Sequence, residues 1–209
     1  MTPDRALPGP DHRPSPFVEG LPIGQPLPVP KDGLPSWSIF PYEGALEVRP
    51  LEAPELPEPP RQGEAGEQDC DQCARPDSDF LWTDRHWRLD APREPAALPA
   101  MVLLQPRAHH DLSDLPVERA AELGVLLQRV ERAVLSLGGI ARVHVNRWGD
   151  GGAHLHLWLL ARPEGMMQLR GACLPLWDDL LPKLPAEEWT RIRGRVAVAM
   201  AADGGVAHA

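Results

Sequence analysis

Two histidines separated by one residue follow a glycine-rich turn, in the sequence Gly-Asp-Gly-Gly-Ala-His-Leu-His-Leu-Trp. From His154 to Leu160, polar or aromatic residues alternate with apolar ones, which is the period of a half-buried β-strand. On such a strand His154, His156 and Trp158 share one face, and the Cβ atoms of the two histidines are about 6–7 Å apart. Glycine-rich turns can expose backbone N–H groups that bind anions. The spacing therefore predicts two imidazoles beside a phosphate-binding turn at residues 149–152.

Cys70 and Cys73 form a second group that could do chemistry. A Cys-x-x-Cys pair can bind zinc, can carry out thiol redox chemistry, or can have no chemical role. A redox pair is expected at the start of a helix in a βαβ unit, and no such unit follows here. Zinc needs two further ligands, which histidine commonly supplies. We therefore favour zinc over two reduced thiols at a turn, with four histidines as candidate ligands: His86, His109, His110 and His154.

Each histidine group also has a purely structural interpretation. His154 and His156 could be hydrogen-bonded histidines in a polar core, and His109 or His110 could be a loop residue beside Asp111. The glycine turn and the cysteine pair in the same chain favour a functional site over these alternatives.

The elements that must position these residues are short strands and two main helices. The predicted strands cover residues 80–83, 86–89, 101–105, 140–148 and 154–160. A stripe of apolar residues at spacings of four and three predicts one long helix that begins near Asp114 and Pro116 and stops at Gly138. A second helix is predicted at residues 186–202, and residues 203–209 are expected to fray. The sequence thus predicts an α+β domain.

Composition divides the chain into a proline-rich lead and a compact part. Of the 26 prolines, 16 lie within residues 1–60. We expect residues 1–34 to be disordered and 35–69 to be an extended segment packed on the body, with a Pro/Glu-rich linker at 50–68. The compact domain is expected at 70–203, followed by a tail at 204–209.

Charge and cysteine content narrow the class of partner. The net charge of −9 argues against a nucleic-acid-binding protein. No run of about 18 apolar residues predicts a membrane span. Three cysteines do not make a disulfide framework, so we expect a cytoplasmic, reducing setting.

The motifs together resemble the histidine triad superfamily, including the branch similar to galactose-1-phosphate uridylyltransferase. The resemblance covers roughly residues 70–165. It rests on Cys70-x-x-Cys73, on Pro-x-x-His109 before a helix, on Asn146, and on Gly-Asp-Gly-Gly-Ala-His-Leu-His-Leu. It implies a small antiparallel β-sheet with one long helix and a C-terminal helix, here preceded by the proline-rich extended segment. Family members commonly pair into dimers, so a homodimer is one expectation.

The resemblance also implies roles for individual residues. His156 corresponds to the nucleophile that attacks the α-phosphorus of a nucleotide and forms a nucleotidyl-histidine. The implied zinc ligands are Cys70, Cys73, His109 and His154, with His110 as the second choice for the third position. The implied nucleotide-binding residues are Asn146, Gly151, Gly152 and Trp158.

Trp158 departs from the family pattern, which has a third histidine or a glutamine at this position. An indole can donate one hydrogen bond but cannot relay a proton. It could stack on a base, or it could simply pack on the sheet. We therefore expect a nucleotide hydrolase or nucleotidyltransferase with zinc, acting on a nucleotide or a phosphorylated small molecule. The alternative is a non-catalytic or repurposed zinc protein of the same fold that binds such a ligand.

Overall fold

The structure, a computed structural model, describes residues 21–29, 31 and 33–208. The chain divides into two units. One contains Tyr42–Pro60 and the described residues before Ser38, and the other contains Ser38–Pro41 and the chain from Arg61 onward. The predicted disorder of residues 1–34 falls mainly on residues 1–20, which lie outside the described residues.

The described residues of the first unit contain little regular structure. They include a 3-10 turn, Leu34–Ser36, and a parallel bridge between Ile23 and Leu51. All the candidate site residues belong to the second unit.

Six antiparallel strands form one sheet in the second unit, in the order β4-β5-β3-β2-β1-β6. The strands are β1 (Trp82–Thr83), β2 (Trp87–Asp90), β3 (Met101–Pro106), β4 (Ile140–Asn146), β5 (Leu157–Pro163) and β6 (Val206–Ala207). Strands that are neighbours in the sequence pair in two antiparallel hairpins, β1–β2 and β4–β5.

The two faces of the sheet differ because successive side chains of a strand point to opposite sides. One face carries Leu89, Leu104 and Leu159, which are fully buried in the hydrophobic core. The other face carries polar or aromatic side chains, among them Gln105 and Trp158. The candidate site lies on this second face.

The helices of this unit are α1 (Asp71–Ala74), α2 (Val117–Leu135), α3 (Leu174–Leu180) and α4 (Ala186–Ala201). The last three contribute buried residues to the core on the apolar face, whereas α1 lines the cavity on the polar side. Val130 of α2 and Val196 of α4 have no exposed surface and join the same core cluster as the sheet. One long helix, a C-terminal helix and an antiparallel sheet confirm the predicted α+β class.

Several predicted boundaries were wrong by a few residues, and two of them lie next to the candidate site. The long helix begins at Val117, with Pro116 as its N-cap, because the Asp114 carboxylate accepts the N–H of Asp111 and holds a separate turn before it. The histidine strand begins at Leu157 instead of His154, since the chain before it bonds to other segments.

The expectation of a frayed C-terminus was also wrong. β6 pairs with β1, and the N–H of His208 donates to the carbonyl of Leu81 at 2.9 Å. The indole N–H of Trp82 donates to the carbonyl of Gly204 at 2.9 Å. The last residues therefore close the edge of the sheet at β1.

No helix among the described residues is long and apolar enough to cross a membrane.

Gly205 should be intolerant of a side chain. Its φ is +80°, and an added Cβ would lie 2.7 Å from the Thr83 carbonyl oxygen and closer still to the Trp82 indole. We expect Gly205→Ala to lower the free energy of unfolding in urea by about 3 kcal/mol, from overpacking and backbone strain together. Gly204→Ala is the matched control, because φ is +104° but no atom lies within 4 Å. It should lose only about 1 kcal/mol; equal losses for the two variants would contradict the steric explanation.

Candidate metal centre and histidine site

Four side chains from distant parts of the second unit converge on one point. Cys70 precedes α1 and Cys73 lies within it, while His109 follows β3 and His154 precedes β5. One ligand atom from each residue can be chosen such that all four atoms lie within 4.8 Å of one another. The structure thus brings together the four residues that the sequence analysis assigned to a metal.

The separations inside this cluster fit a tetrahedral metal site. Nδ1 of His154 lies 3.4 Å from the Sγ atoms of both Cys70 and Cys73. Nδ1 of His109 lies 3.5 Å from Sγ of Cys73. A tetrahedral ion with metal–sulfur bonds of about 2.3 Å and metal–nitrogen bonds of about 2.0–2.1 Å places sulfur and nitrogen about 3.5 Å apart. The donor set and its spacing can therefore hold a metal ion.

A hydrogen bond on the side of the ring away from the cysteines orients His154. Its Nε2 lies 2.8 Å from the carbonyl oxygen of Pro106, to which it must donate, because a carbonyl can only accept. The proton of the neutral ring is therefore on Nε2, and the lone pair on Nδ1 faces the two sulfur atoms. A ring nitrogen held in this way is the usual arrangement for a metal-ligating histidine.

Burial favours the neutral forms of these groups. It raises the pKa of the Cys73 thiol to about 12, with a further contribution from neighbouring Cys70. It also lowers the pKa of His154 below 6.5. A Cys73 thiolate at this position consequently needs a positive ion beside it.

His156 has one ring nitrogen committed and the other available. Its Nδ1 lies 2.9 Å from the carbonyl oxygen of His154 and donates to it. In the neutral ring this leaves the lone pair on Nε2. The ring lines a cavity of about 320 Å³. An imidazole in this state can act as a nucleophile towards a ligand in the cavity.

The cavity lies against the polar face of the sheet. Leu103 and Trp158 sit directly opposite each other in β3 and β5 and both line it. The ring centroid of Trp158 is 6.2 Å from that of Trp148, with the planes tilted by 53°. The remaining wall presents mainly amide and carboxylate groups, from Gln62, Asp71, Gln72, Asp90 and Gln105.

Residues 61–66 form a strap along the glycine turn. Gln62 and Gly152 make a parallel bridge. The N–H of Gln62 donates to the carbonyl of Gly151 at 3.3 Å, and the N–H of Ala153 donates to the carbonyl of Gln62 at 2.9 Å. The strap therefore fixes the backbone that leads into the two histidines.

Glycine is required where the strap passes the cysteine and histidine ligands. Gly63 has φ +78°, and an added Cβ would lie 3.1 Å from Cε1 of His109 and 3.2 Å from Cβ of Cys70. A side chain at this position would strain the backbone and press on two of the four cluster residues.

The glycine turn differs from the predicted anion nest. Gly151 and Gly152 are not among the glycines with positive φ, so the left-handed residue that such nests use is missing at both positions. An added Cβ on Gly152 would lie 3.9 Å from Cε1 of His156, and one on Gly151 would meet nothing within 4 Å. Glycine at these positions leaves open space beside His156.

Asp111 ties the strap to the turn through two arginines. Its carboxylate accepts hydrogen bonds from Arg61 and Arg147, and the Arg61 guanidinium also donates to the carbonyl of Gly149 at 3.0 Å. Burial raises the pKa of Asp111, but the bonds from Arg61, the N–H of Leu112 and Arg147 outweigh it and lower that pKa to about 2. Asp111 is therefore ionised at neutral pH.

Two other predicted residues lie at the margin of the site. Asn146 pairs with Trp158 across β4 and β5, but it is not among the cavity-lining residues. Nδ1 of His110 lies 3.8 Å from the Asp114 carboxylate, and His110 is outside the four-residue cluster. The geometry thus favours His109 over His110 as the third ligand.

Sequence reasoning missed several residues of the cavity wall. Gln62 was assigned to a linker, although it bridges to Gly152. Asp71 and Gln72 were noted only as spacers between the cysteines, and Gln105 only as the end of a strand. A polar residue at the end of an apolar strand was the one available signal for Gln105.

No protein-family model matches the sequence, and no curated protein matches it. Solved structures do match. A zinc-bound histidine triad family protein from Mycobacterium smegmatis has 20% sequence identity and a TM-score of 0.47, over 66% of this chain and 99% of that chain. A histidine triad protein from Bradyrhizobium japonicum has 18% identity and a TM-score of 0.48, over 58% of this chain and 89% of that one.

The chain resembles histidine triad proteins in structure. This is the resemblance that its motifs indicate in the sequence. A uridylyltransferase mutant also matches, with 22% identity and a TM-score of 0.45 over 64% of this chain. The match covers 48% of the uridylyltransferase chain, so this chain spans about half of its length.

Asp111 should stabilise the fold in a pH-dependent way. Its folded pKa of about 2 is below the ordinary value of 3.8, so its contribution is complete above about pH 4 and is lost as the pH falls towards 2. We expect Asp111→Asn to lower the free energy of unfolding by about 1–2 kcal/mol at pH 7, and by progressively less below pH 4. Asp150→Asn, which removes an exposed carboxylate in the glycine turn, should change it by less than about 0.5 kcal/mol. A difference that stays constant from pH 7 to pH 3 would rule out the ionic role.

Proposed function

We propose that the chain binds one zinc ion through Cys70, Cys73, His109 and His154. Two sulfur and two nitrogen donors at tetrahedral spacing are a set that zinc prefers. The single lone pair on Nδ1 of His154 faces the Sγ atoms of two cysteines. One lone pair cannot fully accept hydrogen bonds from two S–H groups, whereas one cation can bind the nitrogen and both sulfur atoms. Four protein ligands leave no open position, which is typical of a structural zinc site. The ion would cross-link the start of α1, the end of β3 and the approach to β5.

We further propose that His156 is the nucleophile of a nucleotide hydrolase or nucleotidyltransferase. The observation that carries this proposal is the hydrogen bond from Nδ1 of His156 to the carbonyl of His154. It fixes the tautomer, leaves the Nε2 lone pair available, and links the nucleophile directly to a proposed metal ligand. The resemblance to the histidine triad family implies the same role for this histidine.

The proposed reaction proceeds in two displacements. The Nε2 lone pair forms a bond to the α-phosphorus, and the bond from that phosphorus to the leaving oxygen breaks, with the electron pair departing on the leaving group. The imidazolium that results keeps its proton on Nδ1, and the hydrogen bond from this N–H to the carbonyl of His154 stabilises the positive charge. Water, which gives up a proton to the solvent, or the oxygen of a second phosphate then attacks the phosphorus, and the phosphorus–nitrogen bond breaks to return its electron pair to Nε2.

Trp158 restricts the leaving group. An indole cannot relay a proton, so a leaving group that departs easily as an anion, such as pyrophosphate or a phosphate ester, suits this site better than an amine or alkoxide. The same observation favours a second candidate function, in which the cavity binds its ligand without turnover. Labelling of His156 distinguishes the two candidates.

Zinc content tests the metal proposal. We expect about one zinc ion per purified chain. His109→Ala and Cys70→Ala should each lower the zinc affinity by more than about a hundredfold, which is more than the loss of a residue that only hydrogen-bonds to a metal ligand causes. Cys173→Ala and His110→Ala are matched controls that should retain the metal, because both residues lie outside the cluster. Protein without zinc, whose Cys70 and Cys73 are freely alkylated in the folded state, would disprove the assignment.

Covalent trapping tests the nucleophile. The protein should be incubated with ATP, GTP, CTP and UTP labelled at the α-phosphorus and then denatured. We expect at least one of these nucleotides to leave acid-labile, alkali-stable label on the protein. The rate of labelling should fall by more than about 1,000-fold in His156→Ala. His86→Ala, which removes a histidine outside this cavity, should label normally. If no nucleotide labels the wild-type protein while ligands still bind, the non-catalytic alternative is correct.

A further inference from the structure

The geometry points to Gln72 and Gln105 as a pair that determines ligand specificity, by reading the hydrogen-bonding edge of a nucleobase. This inference deepens the proposed function and rests on it for the nature of the ligand. Gln72 lies between the two cysteines of the proposed metal site, and Gln105 lies in β3. Both side chains line the cavity that contains His156.

Arg75 fixes the orientation of both amides. Its Nη1 lies 3.0 Å from Oε1 of Gln72, and an arginine can only donate. The amide oxygen of Gln72 must therefore face Arg75, and its amide nitrogen must face elsewhere. Nε2 of Gln105 approaches the same Oε1 at 3.3 Å and so must be the donor. This logic assigns both amides without ambiguity, which is rarely possible for glutamine.

Arg75 is itself held in place. It forms an ion pair with Asp90 at 2.5 Å, donates to the carbonyl of Asp79 at 3.0 Å, and lies 4.3 Å from the ring centroid of Phe80. Gln105 is only 2% exposed. The two amides are therefore preorganised, and a ligand need not order them on binding.

The fixed orientation leaves one donor group and one acceptor group unused. Among the described residues, neither Nε2 of Gln72 nor Oε1 of Gln105 has a hydrogen-bond partner, whereas the opposite ends of both amides are bonded. A ligand that offers a neighbouring acceptor and donor complements this pair. The edges of nucleobases offer such pairs, as does the edge of any planar lactam or amidine.

The rest of the cavity suits a flat ring. Trp158 supplies an aromatic surface and Leu103 an apolar one beside it. No lysine or arginine is among the described residues that line the cavity, so a purely anionic ligand finds no side-chain cation there. A volume of about 320 Å³ is at the lower end for small-molecule sites. These features favour a base over the phosphate or sugar as the group that is recognised.

Equilibrium binding tests this inference without requiring any chemistry. Isothermal titration of the zinc-loaded protein should compare AMP, GMP, CMP and UMP with ribose 5-phosphate, which lacks a base. We expect at least one nucleotide to bind ten or more times more tightly than ribose 5-phosphate. Gln72→Glu keeps an acceptor for Arg75 but removes the N–H donors, and Gln105→Leu removes the acceptor. Each substitution should lower the affinity for the preferred nucleotide by about tenfold to a hundredfold and leave the affinity for ribose 5-phosphate unchanged.

The control is Gln128→Glu, an exposed change on α2 that should not alter binding. Zinc content and the unfolding midpoint of each variant establish that the site is intact. Equal affinity for ribose 5-phosphate and every nucleotide, no binding of any nucleotide, or wild-type nucleotide affinity in both glutamine variants would overturn the inference. Base-selective binding without label on His156 would instead refute only the proposed turnover.

Discussion

His154 uses both ring nitrogens and its backbone carbonyl, and the site depends on this one residue. Its Nδ1 faces two sulfur atoms, its Nε2 donates to Pro106, and its carbonyl accepts from His156. The position of the cluster, the end of β3 and the tautomer of His156 therefore all depend on where His154 is placed.

The sequence was most informative where chemistry imposes a spacing. The cysteine pair, the histidine pair and the glycine turn together indicated a resemblance that implied four ligand residues, and the structure brings those four residues together. The long helix was likewise predictable, because apolar residues at spacings of three and four lie on one face of a helix, and that face packs against the core. Its first residue was not, since Asp114 could cap either the helix or the turn before it, and the structure shows that its carboxylate accepts the N–H of Asp111 in that turn.

Residues that act through long-range contacts gave no such signal. Gln62 lies in a proline- and glutamate-rich stretch, and only its bridge to Gly152, ninety residues later in the chain, places it at the site. Gln72 and Gln105 are ordinary polar residues until Arg75 is seen to orient them. The tail beyond α4 resembled a frayed end because its short strand is stabilised by pairing with β1, a contact that local propensity does not contain.

The Cys-x-x-Cys segment has two roles that are chemically separate. Its thiols belong to the cluster, while Asp71 and Gln72 between them line the cavity. Substitutions at these two intervening positions would therefore change the wall of the cavity and leave all four side chains of the cluster in place.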